Sequence, residues 1–326
     1  MTPAFHLRDQ NHLGDQNGFR CASRIQELAQ HSQLLTDWAL RYDQISHGRF
    51  EGSLKEAWLD GVQFYQEQLS QSVFQRGQGR TGTLCLGVFN ALSGEARWMG
   101  NSLTQQDITW SYDGGELMLQ TPETSSLLVL SIPLALLSDI TDELPHRVYA
   151  IHHDLLANRL REHILAMLHS VMEHPLQFAQ RQARLQFLSD IRELAFAFFT
   201  AVGTQTISVR PSLQKAQRVV SKAQDALIAH RDRPLTMDEL CQLTHTSRRT
   251  LQNCFETVTG QSPAVFLKNM RLNGVKRMLV MEGEYAQISE IASKWGFWHL
   301  SQFTADYKRL FGELPSYTRR AVHHLI

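Results

Sequence analysis

The sequence has few cysteines, no long apolar run and no recognisable targeting segment. Its four cysteines are widely separated in 326 residues and form no CxxC pair, so we expect reduced thiols. No stretch approaches the about 18–20 consecutive apolar residues of a membrane helix. The N-terminus lacks the basic start and the apolar stretch of a signal peptide. These absences predict a cytoplasmic protein that does not associate with a membrane.

Histidine is absent from residues 48–132, whereas the whole chain has 15 histidines. A cupin-type metal centre needs a His-x-His motif with a later glutamate and histidine, so a histidine-ligated metal within this segment is excluded. The sequence also has no Gly-x-Ser-x-Gly elbow and no cysteine in a nucleophile context. We therefore predict no cofactor and no catalytic activity, and a fused enzyme domain is the least favoured alternative.

Charge is distributed unevenly along a chain whose formal net charge is zero. Up to Pro211 there are 16 Lys and Arg against 22 Asp and Glu, a net charge of −6, and from Ser212 onward there are 16 against 10, a net charge of +6. The chain length is typical of about two domains. An acidic body followed by a shorter basic segment suits a protein whose C-terminal part binds a polyanion, although chance produces such asymmetry too.

The acidic body mixes helical and strand patterns. Residues 6–18 are polar and are expected to lack regular structure, whereas residues 22–45 have apolar side chains at helical spacing. Between residues 48 and 132, alternating apolar side chains broken by turn signals predict short strands, with the clearest at 84–88, 108–112, 117–119 and 128–132. This spacing is typical of a small antiparallel barrel or sandwich. We therefore expect an α+β protein whose N-terminal domain is a small, cupin-like β-barrel with flanking helices.

Two amphipathic helices are predicted after these strands. Their apolar stripes run through residues 160–171 and 185–198, with Pro175 between them. Such faces either pack on the domain core or form a dimer seam, and the sequence leaves both interpretations open. The resulting segments are an N-terminal domain at 1–202, a linker at 203–212 and an all-α domain at 213–326.

The basic segment contains a helix-turn-helix pattern. Thr236 and Glu239 have the spacing of a capping box, which predicts the start of a helix. A three-residue break then leads to Ser247, which caps a second helix over residues 248–257. The exposed positions of this second helix are Arg248, Arg249, Gln252 and Asn253. In a helix-turn-helix, the N-terminal turn of the second helix presents its side chains to the DNA major groove.

The same pattern recurs after a long helix. Residues 263–280 predict a linker helix of about 25 Å at 1.5 Å per residue. Residues 288–297 and a helix over 299–309 then repeat the first pattern, with Gly296 at the turn. Because successive major grooves of B-DNA are about 34 Å apart, a linker helix of this length is a plausible strut between two reading helices.

These motifs resemble the AraC/XylS family of transcriptional regulators over residues 213–321. The positions that carry the resemblance are Leu240, Ser247, Leu251, Phe255, Gly260, Ser262, Pro263, Arg271, Leu272, Ile288, Ile291, Ala292, Gly296, Phe297, Phe303, Phe311, Gly312, Pro315, Ser316 and Arg319. Within the family, residues 247–253 and 295–303 are most similar to the ethanolamine-operon regulator branch.

Two features depart from the family pattern. Gly274 lies inside the linker helix, where glycine costs about 1 kcal/mol relative to alanine. Ala305 and Asp306 leave the second reading helix poor in base-reading side chains, since alanine is short and phosphate repels the aspartate. We therefore expect the first unit to be the main source of sequence specificity.

The resemblance implies two reading helices on double-stranded promoter DNA. The side chains implied to face base edges in the first unit are Arg249, Gln252 and Asn253. Those implied to face DNA in the second unit are His299, Leu300, Ser301 and Gln302. Arg248, Trp298 and Lys308 complete the candidate DNA-binding set, with solvent exposure or packing as the alternative for each. Arg271 either braces the two units or contacts phosphate.

The resemblance also implies partners and a cellular location. It implies a nucleoid-associated protein of the bacterial cytoplasm and contact with RNA polymerase as an activator or a dual regulator. The two amphipathic helices at 155–200 predict a homodimer through the N-terminal domain. The N-terminal domain either binds a small-molecule effector, in a pocket that would be lined by Trp98, Trp110 and Tyr112, or is a scaffold without a ligand. We therefore predict a sequence-specific DNA-binding transcription regulator.

Overall fold

The structure is a computed structural model that describes residues 6–12, 17–139, 149–203, 211–285 and 287–321. The N-terminal region, residues 6–203, contains two antiparallel β-sheets and flanking helices, and the C-terminal region, residues 211–321, is helical. The predicted α+β class is confirmed. Of the predicted linker, residues 204–210 lie outside the described residues.

The sheets have eight and five strands within the described residues. In chain order the strands are β1 (His6–His12), β2 (Gly18–Ile25), β3 (Ala39–Gln44), β4 (Gly52–Leu59), β5 (Val62–Leu69), β6 (Val73–Gln78), β7 (Thr83–Leu92), β8 (Ala96–Trp98), β9 (Asn101–Leu103), β10 (Asp107–Tyr112), β11 (Glu116–Gln120), β12 (Ser125–Pro133) and β13 (Tyr149–His152). The larger sheet has the order β1-β2-β4-β5-β12-β7-β10-β13, and the smaller sheet has the order β3-β6-β11-β8-β9.

Helices cover the outer faces of both sheets. The helices of the N-terminal region are α1 (Leu28–Gln33), α2 (Asp154–Glu173) and α3 (Arg181–Gly203). Those of the C-terminal region are α4 (Pro211–Ala229), α5 (Met237–Thr244), α6 (Arg248–Thr259), α7 (Pro263–Glu282), α8 (Ile288–Lys294), α9 (Leu300–Phe311) and α10 (Pro315–Ala321). No helix among the described residues is long and apolar enough to span a membrane.

The larger sheet is buried on both faces, and this explains why the predicted barrel does not close. Leu128 and Leu130 of β12 point into a core shared with α2 and α3, whereas Leu127 and Val129 point into the core between the two sheets. Because α2 and α3 shield the outer face, the sheets are stable as separate layers. Within the described residues, β1 and β13 remain the edges of the larger sheet instead of pairing with each other.

The two amphipathic helices place their apolar stripes on this sheet. Ile164 of α2 and both Ile191 and Phe198 of α3 are fully buried in the core that they share with the larger sheet. Core packing therefore accounts for the stripes. The apolar side chains that remain exposed on these helices are Leu155, Leu185 and Phe196.

Two predictions about the N-terminus were wrong. Residues 22–45 were expected to be helical, but they form the end of β2, the short helix α1 and then β3. The spacing of Ile25, Leu28 and Leu35 resembles that of a helix, but the three buried residues lie in different elements. Ile25 is in β2, Leu28 is in α1 and Leu35 is in the segment after α1. The polar segment 6–18 was expected to lack regular structure, but residues 6–12 pair with β2 as an edge strand.

The C-terminal region packs on the outer face of the smaller sheet. Its core includes the largely buried side chains of Ile45, Phe74 and Met118 from the N-terminal region. The ring of Phe74 on β6 lies edge-on to Phe266 on α7, with the ring centroids 5.0 Å apart. One apolar core therefore continues from the smaller sheet into the helices.

Candidate nucleic-acid interface

The first helix pair, α5 and α6, begins with a complete capping box. Thr236 Oγ1 accepts from the backbone N–H of Glu239 at 3.2 Å, and a Glu239 carboxylate oxygen accepts from the backbone N–H of Thr236 at 2.8 Å. The Arg233 guanidinium and Thr236 donate hydrogen bonds to Glu239, and together they lower the pKa of this carboxyl to about 2. The predicted capping box is confirmed.

A tight turn directs α6 away from α5. His245 has a left-handed backbone conformation, with φ at 54°, and the Ser247 hydroxyl accepts from the backbone N–H of Thr250 at 3.2 Å. Leu251 and Phe255 are fully buried beneath α6. The opposite side of its first turn, with Arg248 and Arg249, is therefore exposed to solvent.

Two predicted DNA-binding side chains on α6 are engaged by carboxylates. Arg248 Nη2 lies 3.2 Å from Asp238 Oδ1, and Gln252 Nε2 donates to Glu256 Oε1 at 2.6 Å. Both contacts are at the protein surface, where water competes for the same groups, and the ion pair of Arg248 with Asp238 contributes little stability. Arg248 and Gln252 can therefore exchange these carboxylates for another acceptor.

Asn253 lies on the side of α6 that is next to the N-terminal region. It is exposed, but together with Lys215 and Thr257 it lines a cleft of about 640 Å³ between α6, α4 and the β8–β9 hairpin. This cleft lies between the C-terminal region and one part of the smaller sheet, the β8–β9 hairpin. The structure therefore places Asn253 beside the N-terminal region.

The second helix pair, α8 and α9, repeats the arrangement with a glycine at its turn. Gly296 has φ at +73°, and a Cβ atom there would lie 2.9 Å from Pro234 Cδ, so the turn requires glycine. The predicted DNA-facing residues Trp298, His299, Leu300, Ser301 and Gln302 are all exposed around the start of α9. Lys308 is exposed near the other end of this helix.

Asp306 differs from the sequence prediction, which placed it on the DNA side of α9. Its side chain is largely buried, with Oδ1 3.2 Å from Lys268 Nζ and Oδ2 accepting from Gln302 Nε2 at 3.1 Å. Burial alone raises the pKa of Asp306, but the hydrogen bonds from Gln302 and Lys268 lower it overall. This aspartate therefore ties α9 to α7 and orients Gln302, and sequence spacing alone could not show the contact with Lys268.

The linker helix α7 joins the two pairs through close packing. A Cβ atom on Gly274 would lie 2.4 Å from the indole of Trp295, so this glycine makes room for the residue that ends α8. The guanidinium carbon of Arg271 lies 4.9 Å from the centroid of the Phe297 ring, and burial lowers the pKa of Arg271. Arg271 is thus placed as a brace between the linker helix and the second pair.

The predicted ligand pocket between the sheets is a small void. Trp98 and Trp110 line it as expected, whereas Tyr112 packs into the core beneath α2 and α3. The void has a volume of about 30 Å³. A void of this size holds a water molecule rather than a metabolite, so a ligand there would have to displace side chains.

Comparison with known proteins places the C-terminal region among DNA-binding modules. Residues 240–321 match the family model described as a helix-turn-helix domain. A probable thc operon regulatory protein of Rhodococcus erythropolis is 34% identical over 105 residues, which cover 32% of each chain. An XylDLEGF operon transcriptional activator of Pseudomonas putida is 36% identical over 89 residues, covering 27% of this chain and 28% of the relative.

A solved structure is similar to about a third of the chain. It is a probable AraC family transcriptional regulator from Rhodopseudomonas palustris, 31% identical, covering 32% of this chain and 96% of that chain, with a TM-score of 0.29. The curated relatives named above are matched over about a third of their length or less. Together with the geometry described above, the family match identifies residues 240–321 as a helix-turn-helix domain.

Proposed function

We propose that this chain is a sequence-specific DNA-binding regulator that activates transcription and reads promoter DNA through both helix pairs. The observation that carries the proposal is the exposure of Arg249 and residues 298–302 at the N-terminal turns of α6 and α9, within a segment that matches a helix-turn-helix domain. These turns carry side chains that can hydrogen-bond base edges. The relatives described above are transcription regulators, whereas an enzyme has no counterpart among them.

The first helix pair supplies the main specificity in this proposal. Arg249 is a forked donor at the second position of α6, and Gln252 lies nearly one turn further along the same helix. In the second pair, Leu300 offers apolar contact, for which a thymine methyl is the natural target, and Ser301 and Gln302 offer hydrogen bonds. Arg248, Trp298, His299 and Lys308 belong to the surrounding phosphate-facing surface. The structure supports a contact with a base less for Asn253 than for the other residues, because Asn253 lines the cleft beside the N-terminal region.

The N-terminal region, taken as residues 1–202, is proposed to form a homodimer through α2 and α3. Leu155 is 79% exposed and Phe196 is 62% exposed, and the ion pair between Arg159 and Glu193 shows that α2 and α3 lie side by side at this level. Apolar side chains of this size at the surface of adjoining helices are suited to a second copy of the chain. A dimer would bring four reading helices to repeated half-sites.

Effector binding is the less supported part of the N-terminal assignment. The void between the sheets is about 30 Å³, so a sensor that bound its ligand in this void would need a rearrangement, whereas the scaffold alternative would not. A thermal-shift screen of the full chain against small metabolites distinguishes the two. A raised unfolding temperature that is abolished by a bulky substitution at Val129, which lines the void, would establish a sensor.

Two finer assignments rest on the family resemblance alone. The similarity of residues 247–253 to the ethanolamine-operon branch remains a prediction, because the relatives named above control other operons. Contact with RNA polymerase follows from the proposed role as an activator. A protein that reads promoter DNA and recruits polymerase works in the bacterial cytoplasm, at the nucleoid.

The DNA-binding proposal is tested with the full chain and a pool of randomised duplexes. We expect the recovered duplexes to share a motif. If about four phosphates are neutralised, affinity should fall by roughly a hundredfold between 50 and 200 mM salt, because bound counterions are released on binding. Recovery of unrelated sequences, with an affinity that barely responds to salt, would contradict both the specificity and the electrostatic part of the proposal.

A further inference from the structure

An edge strand of the smaller sheet is hydrogen-bonded to the linker helix of the DNA-binding region. Among the described residues, strand β3 pairs with β6 on one side and has no strand on the other. On its other side, the backbone N–H of Gln44 donates to Asn273 Oδ1 at 2.9 Å, and the Asn273 side-chain N–H donates to Gln44 O at 2.9 Å. The side-chain amide of Asn273 thus pairs with the backbone groups of Gln44 that a neighbouring strand would otherwise pair with. Asn273 is almost completely buried.

The docking segment, residues 42–48, continues along α7. Arg277 Nη1 donates to Tyr42 O at 3.1 Å and lies 2.8 Å from Asp43 Oδ1. At the other end of the segment, Gln261 Nε2 donates to Ile45 O at 3.0 Å, just before α7 begins. The segment therefore spans the linker helix from before its start to near its end.

The N-terminal region also holds the C-terminal ends of both reading helices. Arg97 Nη1, on β8, donates to Thr257 O at 3.1 Å near the end of α6. The Gln44 side chain and the backbone N–H of Gly48 donate to Leu310 O, near the end of α9, at 2.9 and 3.0 Å. Carbonyls in the last turn of a helix lack partners within the helix, so they are natural acceptors for such donors.

A buried ion pair network strengthens the attachment at the second helix pair. Lys276 on α7 is 8% exposed, and its Nζ lies 3.4 Å from Glu27 of the N-terminal region and 3.2 Å from Glu313 beyond the end of α9. Removal of one partner from a buried network leaves an uncompensated charge, which is strongly unfavourable. Lys276 therefore joins three parts of the chain, namely α7, the segment after α9 and the residue that precedes α1.

The N-terminal region leaves the DNA-facing turns of α6 and α9 exposed. Its hydrogen bonds to α6 and α9 are at Thr257 and Leu310, whereas Arg249 and residues 300–302 begin the same two helices and are exposed. The N-terminal region thus touches both reading helices from behind. It can constrain their relative position without competing for DNA.

We propose that the N-terminal region acts as a splint, which means that it fixes the relative position of the two reading helices. The two helices are then arranged in advance for one spacing of the DNA segments that they contact. This inference rests on the proposed function, since it assigns both helix pairs to DNA. A pre-arranged pair of reading helices binds more tightly because less conformational freedom is lost on binding. The splint role requires neither an effector nor a dimer.

The test compares the wild-type chain with the double variant Gln44→Ala/Asn273→Ala and with Arg97→Ala. The duplex is the site recovered by selection, with and without one base pair inserted between the segment read by α6 and the segment read by α9 of the same chain. One base pair displaces the second segment by about 3.4 Å and rotates it by about 35°. We expect the double variant to bind the parent site about tenfold more weakly and to lose about twofold on insertion, where the wild type loses tenfold or more.

The matched control is Gln66→Ala, which removes the same amide from β5, where it bonds Ser126 on the larger sheet. This variant should bind both duplexes as the wild type does. Arg97→Ala removes a contact at the protein surface and should leave the fold intact, so it reports on the splint even if the double variant unfolds. We expect it to show the same changes as the double variant, but to a smaller degree.

A measurement without DNA separates failure of this inference from failure of the proposed function. Backbone amide exchange at residues 308–312 should accelerate in the double variant, which releases the end of α9, and exchange at residues 257–261 should accelerate in Arg97→Ala, which releases the end of α6. Unchanged exchange would overturn the splint whether or not the protein binds DNA. Tighter DNA binding by the variants would also overturn it, because the N-terminal region would then be inhibitory, and so would an unchanged dependence on the spacing of the two segments.

Discussion

Arg249 and Gln302 occupy the two reading helices but should contribute unequally to specificity. We expect Arg249→Ala to relax base preference in one half-site, because a bidentate contact from arginine to guanine is worth about 1–3 kcal/mol against the wrong base. Gln302→Ala should weaken binding with little change in preference, since its Nε2 is partly engaged by Asp306. Selection from randomised duplexes with both variants measures this.

The matched control for this comparison is Arg181→Ala, which removes an exposed arginine at the start of α3, far along the chain from the helix pairs. Its preferred sequence should equal that of the wild type. The opposite outcome is that Gln302→Ala loses its base preference while Arg249→Ala keeps the preferred sequence of the wild type. It would identify the second helix pair as the main source of specificity.

Asp306 should stabilise the fold in a pH-dependent way. Because its pKa is lowered in the folded protein, its stabilising contribution is fully present above the ordinary pKa of an aspartate and is lost as the pH falls through its folded-state value. We expect Asp306→Asn to lower the free energy of unfolding at pH 7 by about 1–2 kcal/mol. Urea unfolding of both proteins at pH 7 and near pH 3 measures the difference, which should shrink in acid.

Asp238→Asn is the control for this titration, because Asp238 is an exposed partner of Arg248 and should contribute almost nothing to stability. Lys268→Met should reproduce most of the loss seen in Asp306→Asn. Equal stability of Asp306→Asn and the wild type at pH 7 would show that the contact between α9 and α7 is not maintained in solution.

At the level of elements, the glycine inside α7 is a packing requirement that outweighs helix propensity. Alanine is favoured over glycine in a helix by about 1 kcal/mol, but a Cβ atom at Gly274 would be 2.4 Å from the Trp295 ring. We expect Gly274→Ala to lower the free energy of unfolding by about 1–3 kcal/mol, because the indole must move. Chemical denaturation followed by tryptophan fluorescence measures this.

Gly203→Ala is the matched control, since Gly203 ends α3 and a Cβ atom there meets nothing within 4 Å. This substitution should leave stability unchanged or raise it slightly. A stabilised Gly274→Ala variant would mean that Trp295 does not pack on α7 as described.

The elements that were predicted correctly are those in which apolar periodicity and caps agree. The capping box at Thr236, the long helix after Pro263 and the apolar alternation of β12 each have a local signal. Strands β4 to β6 lacked such a signal because their inward positions carry polar residues. Glu67 is buried between the sheets and accepts hydrogen bonds from His31, Tyr42 and Gln75, and no local pattern shows that such partners exist.

The candidate site was predictable to a similar extent. Exposed positions on α6 and α9 follow from helical spacing, and most of the predicted residues lie there. Asp306 was misjudged because its partner Lys268 lies 38 positions earlier. The contact between Asn273 and Gln44 joins residues 229 positions apart. Because Gln44 contributes its backbone to this contact, the type of residue at position 44 does not predict it.

At the level of the whole molecule, self-association is expected through α2 and α3. Phe196→Glu should convert the dimer to a monomer, because the substitution places a charge among apolar side chains that two copies would bury. Sedimentation at tens of micromolar measures this. Met281→Glu, at an 85% exposed position near the end of α7, should remain dimeric. A monomeric wild-type chain at this concentration would exclude the dimer.

The cover that α7 gives to strand β3 has a consequence for shortened forms of the protein. A chain truncated before Pro211 would lose Asn273 and Phe266, so β3 would become an open sheet edge beside an uncovered Phe74. Unpaired backbone groups next to apolar surface are a template for strand addition between molecules. A premature stop in the gene would therefore give an aggregation-prone product rather than a free sensory module, and the effects of such a lesion would include those of misfolded protein as well as loss of DNA binding.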